Sequence, residues 1–208
     1  MYPSFFTYVI PISIIIIGIY LSFKTVILKD AGDIILNPKD KPYSFARTQL
    51  MWWSLIIIST FCSYYGINGE ICDINQSSLI LLGISLGTTV SSKIIDNTDI
   101  NNNNPRHQDS EKSKGFLTDI LSDENGISVH RFQALIFNVV FGIIFINEFI
   151  SKCHTGNFTF VDFQPNELIL MGISSAAYVG MKINENASPT SPPVQDTVNN
   201  TNNPEAIG

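Results

Sequence analysis

The feature that most constrains this chain is a pattern of residues that occurs twice. Each copy opens with a serine, continues with an arginine and a glutamine, and then crosses an apolar run to a loop. A Gly-Ile-Ser run and a closing lysine follow in both copies. The recurring residues are Ser44, Arg47, Gln49, Gly83 and Lys93 in the first copy and Ser128, Arg131, Gln133, Gly172 and Lys182 in the second. Because a duplication sets the unit from which an architecture is built, we expect two copies of one structural unit.

The composition is that of a membrane protein. Hydrophobic residues make up 45% of the chain and charged residues 14%, and the mean hydropathy is +0.19. A helix needs about 20 apolar residues to cross a hydrocarbon core of about 30 Å, and residues 5–23, 50–67 and 132–150 approach that length. Residues 77–92 and 167–181 are shorter, but each follows a half-repeat that already spans. The sequence therefore predicts an all-α integral membrane protein with five transmembrane helices, one amino-terminal helix plus two tandem repeated helical hairpins.

The polar stretches divide the chain into segments. We expect an amino-terminal transmembrane helix, a cytoplasmic connector, a first membrane hairpin, a disordered cytoplasmic linker, an interfacial helix with the second hairpin, and a disordered cytoplasmic tail. These correspond to residues 1–23, 24–43, 44–95, 96–114, 115–183 and 184–208. The linker is predicted to be disordered because it is rich in asparagine and charge and has few apolar residues to bury.

The basic residues set the expected orientation. Loops rich in lysine and arginine stay on the cytoplasmic side of a membrane. With the amino terminus outside, every basic residue except Lys152 falls on the cytoplasmic side, and the chain has 12 such residues. We therefore predict an integral protein of a cell or inner membrane, with its amino terminus outside and its carboxyl terminus in the cytoplasm. The lipid bilayer is its expected surrounding.

The recurring arginines and glutamines are candidate contact residues. Arg47 and Arg131 fall in the first turn of a helix, where the helix dipole does not favour a cation, so another interaction must stabilise them. Lipid headgroup phosphates are one candidate, and a specific contact within the chain or with a partner is the other. Gln49 and Gln133 lie deeper and are expected to face inward, because an unpaired amide is costly in lipid.

Three further polar or aromatic positions belong to the same helices. Trp52 and Trp53 are expected to lie at the cytoplasmic interface, where amphipathic rings are frequent. Asn138 is expected to form a hydrogen bond between helices.

Small residues are expected to mark the helix interfaces. In a membrane, helices associate through close packing, and small side chains allow the backbones to approach. The third and fifth transmembrane helices are therefore predicted to cross each other near a pseudo-two-fold axis along the membrane normal. The packing residues predicted for that contact are Gly83, Ser85, Gly87, Gly172, Ser174 and Gly180.

The cysteines occupy related places in the two copies. Cys72 and Cys153 lie in the two predicted outer loops. In an oxidising compartment they would form a disulfide, and otherwise they are two free thiols. We predict no metal site, no cofactor and no catalytic residues, because the sequence has no nucleophile motif, phosphate loop or paired carboxylates.

These signals favour a structural function. We expect a non-enzymatic membrane scaffold or anchor that self-associates as a homo-oligomer or membrane complex, or binds a cytoplasmic protein partner. The alternative is a small oligomeric channel, in which several copies of the third helix supply a polar lining that one chain lacks. Nucleic acid is not an expected partner, because no basic patch is interleaved with aromatic residues.

Overall fold

The chain folds into a bundle of helices. The structure is a computed structural model, and it describes residues 5–30, 37–71, 73–102, 104, 106, 109, 112–123, 126–155 and 159–185. A π-helical turn, Phe5–Val9, leads into the first helix. The elements that follow are α1 (Ile10–Lys24), α2 (Phe45–Asn68), α3 (Gln76–Asn101), α4 (Phe116–Leu121), the two-stranded pair β1 (Ser122–Asp123) and β2 (Gly126–Ile127), α5 (Val129–Thr155) and α6 (Pro165–Glu185).

Four of the described helices are long and apolar enough to cross a membrane. These are the helix from Thr7 to Lys24, which includes α1, together with α2, α3 and α5. The prediction of an all-α membrane protein is confirmed at this level. The sixth helix has 21 residues but carries Glu167 in its first turn and Lys182 in its last, and it is not among the four.

The helices form two hairpins that face each other. Helix α2 packs against α1, α3 and α5, and α6 packs against both α3 and α5. The first helices of the two hairpins therefore touch each other, and so do the second helices. The predicted contact between the third and fifth long helices is confirmed, as the contact between α3 and α6.

A tryptophan lies at the centre of the bundle. Trp53 on α2 is 0% exposed, and its Nε1 donates to the Oδ1 of Asn138 on α5 at 2.7 Å. Its neighbour Trp52 donates to the backbone oxygen of Asn138 at 3.0 Å. The interfacial position predicted for Trp53 is therefore wrong, because its side of α2 faces α5 and finds an amide partner there. The inter-helix hydrogen bond predicted for Asn138 is confirmed.

Serines, rather than glycines, pack between the second helices of the hairpins. Ser85 and Ser174 are buried, as expected, and Ser85 Oγ donates to the backbone oxygen of Leu81 at 2.9 Å. Residues two positions apart on a helix point in nearly opposite directions. The glycines that flank these serines therefore face away, and the packing role predicted for three of them is wrong. Gly83, Gly87 and Gly180 are exposed and a Cβ there would meet no atom within 4 Å, whereas one at Gly172 would come within 3.9 Å of Ile84.

The predicted disordered linker contains ordered structure. Helix α3 continues through Asn101, and Arg106 beyond it is 2% exposed. The charges of this segment are thus used in buried contacts, and composition alone does not reveal that. The short helix expected near residue 116 is confirmed as α4, and its Ile120 packs in a core with Phe45 and Tyr178. Residues 103, 105, 107, 108, 110 and 111 of the linker, 31–36 of the connector and the tail from residue 186 lie outside the described residues.

The close approach of α2 and α5 makes a testable prediction at Gly142. A Cβ at Gly142 would lie 2.5 Å from Nε1 of Trp52, whose ring is held by its hydrogen bond to α5. We expect Gly142→Ala to lower the free energy of unfolding by about 1–3 kcal/mol, as overpacking does. The measurement is thermal unfolding in a mild detergent, followed by circular dichroism.

The matched control is Gly83→Ala, in which the same methyl group enters open space on α3. We expect its unfolding midpoint to stay unchanged or rise, because alanine is the better helix former. An equal loss of stability in the two variants would contradict the packing described for α2 and α5.

Candidate functional site at the charged end of the bundle

One end of the bundle collects most of the charged residues. At this end, called the charged end below, α1, α3 and α6 finish and α2 and α5 begin. The chain on either side of residues 31–36 forms an antiparallel bridge between Lys29 and Tyr43. Asp30 N donates to the oxygen of Pro42 at 2.9 Å, and Ser44 N donates to that of Leu28 at 2.7 Å. These bonds hold Lys29 and Asp30 against the start of α2.

A buried ion cluster joins α3 to α6. The Nζ of Lys182 donates to Asp96 Oδ2 at 3.0 Å and to Ser92 Oγ at 2.6 Å, and both Lys182 and Asp96 are 2% exposed. Asp30 Oδ2 lies 3.9 Å from the same ammonium. Because a buried charge needs a partner, these contacts fix the relative position of the two helices at this end.

An arginine from the segment after α3 completes the cluster. Arg106 Nη1 lies 3.3 Å from Asp96 Oδ1, so that Asp96 has a cation on each oxygen. Arg106 Nε also donates to Asp109 Oδ2 at 2.7 Å. The chain beyond α3 is therefore folded back onto the helix ends.

A second aspartate organises the outer layer of the charged end. Asp119 on α4 accepts hydrogen bonds from Tyr43 N at 3.1 Å, Lys114 N at 2.8 Å and Ser113 Oγ at 2.6 Å. The Nζ of Lys29 lies 3.4 Å from the centre of the Tyr43 ring, a cation–π contact. Burial lowers the pKa of the Lys29 ammonium, while the nearby charges of Asp119 and Asp40 oppose that effect. Asp119 thus ties α4 to the connector that precedes α2.

These two layers enclose a recess, called the polar recess below. It has a volume of about 340 Å³, which is within the usual range for ligand sites. Its charged lining residues are Asp30, Lys112, Lys114, Asp119, Asp123, Arg131 and Lys182. Lys112 and Lys114 are exposed at the mouth, whereas the aspartates are half-buried. The recess therefore presents positive charge to its surroundings.

The structure brings only some of the predicted contact residues together. Arg131 lines the polar recess, and its guanidinium lies 5.3 Å from the centre of the Tyr178 ring. Arg47 is half-buried next to the recess, and its Nη1 donates to the oxygen of Ile27 at 3.4 Å. Each arginine thus has a contact within the chain, and whether it also meets lipid headgroups stays a prediction.

The two glutamines differ. Gln49 is buried and its Nε2 donates to Ser175 Oγ at 3.0 Å, so the inward position expected for it is confirmed. Gln133 is exposed, and the inward position predicted for it is wrong. The reason is the surroundings of each helix: α2 has helices on three sides, whereas the Gln133 side of α5 faces outward.

The disulfide stays a prediction. Cys153 is a half-buried thiol that packs against the apolar core, and Cys62 is another half-buried thiol. Cys72 lies outside the described residues.

Sequence reasoning missed the residues that build the charged end. Asp96, Arg106 and Asp119 carry no motif, and two of them fall in the segment expected to be disordered. The available signal was Lys182, a lysine repeated at the end of both copies, with Ser92 and Asp96 one turn apart on the helix beside it. Its counterpart Lys93 is exposed.

Comparisons with known proteins add no assignment. A scan against protein-family models finds no match, and searches of curated proteins and of solved structures return no similar chain.

The ion cluster predicts a large effect of removing its lysine. Lys182→Met leaves a buried carboxylate without its closest cation, and breaking a buried pair in this way costs about 3–5 kcal/mol. We expect a loss of that size in the free energy of unfolding, measured in mild detergent. The double variant with Asp96→Asn should recover part of the loss, because the uncompensated charge is gone.

The control is Lys112→Met, at the exposed pair with Asp40, where the separation is 3.9 Å and both side chains reach solvent. Exposed pairs contribute at most about 1 kcal/mol. If Lys182→Met proved no more destabilising than this control, the ion cluster would not hold α3 to α6.

Proposed function

We propose that this protein is a non-enzymatic membrane module that holds a soluble protein partner at the cytoplasmic face. The polar recess supports the proposal. It is built from buried ion pairs and a shared aspartate, so it is preformed, and its mouth carries Lys112 and Lys114. An acidic segment is the partner chemistry that this mouth favours, because opposite charges steer association and set its register.

In this proposal five helices cross the bilayer, with the amino terminus outside. Helix α6 supports the fifth crossing because it runs alongside α3 between the same two ends of the bundle. Phe163 N, just before α6, donates to Ser77 Oγ at 3.0 Å, and Lys182 in its last turn meets Asp96 at 3.0 Å. Its 21 residues span about 32 Å, enough for a hydrocarbon core of about 30 Å. The two hairpins are then tandem copies of one unit, as the duplicated pattern suggests.

Self-association is the second part of the proposal. Gly83 and Gly87 face outward from the chain, one turn apart on α3, and leave room for the backbone of another helix. A homo-oligomer would place several polar recesses on one membrane face, which suits a scaffold.

The channel alternative has less support from the described residues. Ser85, Thr88 and Ser92 form the polar side of α3, and all three are buried against the chain's own helices. Oligomerisation would therefore bring an apolar side of α3 to a shared axis. The interior of the bundle between the two hairpins is filled by large apolar side chains, among them Trp53, Leu81, Phe145 and Met171.

The orientation can be tested by cysteine labelling in intact cells. In a variant whose native cysteines are replaced by serine, we place one cysteine at Lys112 and, separately, one at Ile71, which is 79% exposed at the opposite end. A membrane-impermeant maleimide should label the Ile71→Cys protein from outside and reach Lys112→Cys only after permeabilisation. The opposite pattern would place the polar recess outside the cell and end the proposal.

The docking function can be tested by site-specific crosslinking in the native membrane. A photoreactive amino acid at Lys112 should capture a discrete protein, whereas the same group at Lys39, an exposed lysine that does not line the recess, should not. Capture should be lost in a chain that also carries Lys114→Glu, because charge reversal repels an acidic partner.

The outcomes separate the candidate functions. A captured soluble protein supports the anchor, and capture of a second copy of this chain alone supports only the self-associating scaffold. Selective ion flux through liposomes that contain the pure protein would instead favour the channel and contradict the scaffold.

A further inference from the structure

A large apolar groove lies between α1 and the rest of the bundle, at the level of the candidate membrane spans. Its volume is about 760 Å³, and its walls come from the π-helical turn, α1, α2 and α5. It exists because α1 packs mainly on α2, where Gly18 sits against Leu55. The lining residues used below are Thr7, Trp52, Ser59, Ser63 and His154.

Two hydroxyl groups in this groove have no partner in the part of the chain that the structure describes. Thr7 is 8% exposed and Ser59 is 6% exposed, and neither Oγ1 nor Oγ makes a hydrogen bond there. Their neighbours behave differently: Thr60 Oγ1 donates to its own helix at 3.0 Å, and Ser63 Oγ donates to the oxygen of Thr7 at 3.0 Å. A buried hydroxyl without a partner costs free energy, and in lipid no bulk water relieves that cost.

The two hydroxyls lie at related depths. Ser63 is bonded to the backbone of Thr7, and Ser59 lies one helical turn, about 6 Å, along α2 from Ser63. Both therefore belong to the half of the groove nearer the short-loop end, the end opposite the charged end. His154 lies at the same end of the groove, in the last turn of α5. Polar groups are thus gathered near one end, and apolar side chains line the rest.

We propose that this groove is a binding site for one diacyl glycerophospholipid. An acyl chain fills the apolar length of the groove, and the two ester carbonyls accept hydrogen bonds from Thr7 Oγ1 and Ser59 Oγ. The phosphate lies toward His154. The bilayer around the candidate spans supplies this ligand at high concentration, so the site needs little intrinsic affinity to be filled. The bound lipid joins α1 to α5 and closes the gap between them.

The first test uses the intrinsic fluorescence of the protein. The chain has two tryptophans; Trp53 is 0% exposed, and Trp52 lines the groove. The probe is phosphatidylcholine with a dibrominated acyl chain, titrated into protein that has been delipidated in mild detergent. We expect a saturable quenching step that reaches its limit at about one lipid per chain, followed by a shallow slope from lipid that surrounds the protein.

The variant Ser59→Phe fills the groove and should remove the saturable step. Its control, Leu79→Phe, adds an aromatic ring on α3 at a side chain that is 55% exposed and lies outside the groove. The control should retain the step. Quenching that rises without saturation in wild type, or is equal in both variants, would overturn the proposal.

A second variant keeps the proposal testable if Ser59→Phe fails to fold. Thr7→Val with Ser59→Ala removes the two hydroxyl groups with little change of volume and should fold with an unchanged circular dichroism spectrum. We expect the saturable step to weaken about three- to tenfold, the loss that corresponds to a net hydrogen bond. Unchanged affinity in this variant would mean that water satisfies the hydroxyls and that they do not bind lipid.

Competition identifies the class of lipid. Unlabelled phosphatidylcholine should displace the brominated lipid, whereas a sterol, which has one hydroxyl and no ester, should not. Displacement by sterol and not by phosphatidylcholine would contradict the proposed ligand.

Discussion

The arrangement of the two hairpins depends on the buried ion pair between Asp96 and Lys182. Each residue is near the end of its helix and is shielded from solvent, so separating α3 from α6 there would expose or strand a charge. Such a pair adds little net stability compared with apolar side chains of the same size, but it tolerates only one relative position of its partners. Arg106 shares the same carboxylate, so the segment after α3 obeys that constraint as well. The polar recess is a consequence, since its floor is the cluster.

The middle of the bundle follows a different rule. Many large apolar side chains are exposed there, including Ile16, Leu79 and Ile143, as expected for helices that contact lipid tails. Where there is no water, apolar contact gives no special advantage over lipid, and hydrogen bonds select which faces meet. Trp53 with Asn138 and Gln49 with Ser175 serve that purpose between the hairpins. The polar groups between helices are few, and each pair joins one hairpin to the other.

Hydropathy and the repeat predicted much of the fold and little of the site. The long helices and the contact between α3 and α6 follow from apolar length and from the duplicated order of residues. The face of each helix does not, because Gly83 and Ser85 point in nearly opposite directions and only three-dimensional packing decides between them. The charged end was read as disordered because asparagine and charge usually indicate solvation. Buried charges that pair across distant segments leave no local periodicity to recognise.

Matching residues of the two copies have taken different roles, and this difference explains why the site exists on one side of the repeat. Lys182 is buried in the ion cluster, whereas Lys93 at the equivalent place is exposed. Gln49 bonds across the bundle, whereas Gln133 faces outward. A strictly symmetric pair of hairpins would place two like charges near one axis, and their repulsion would be costly in a medium of low dielectric constant. Using one lysine for the cluster and leaving the other at the surface avoids that repulsion and opens a single recess.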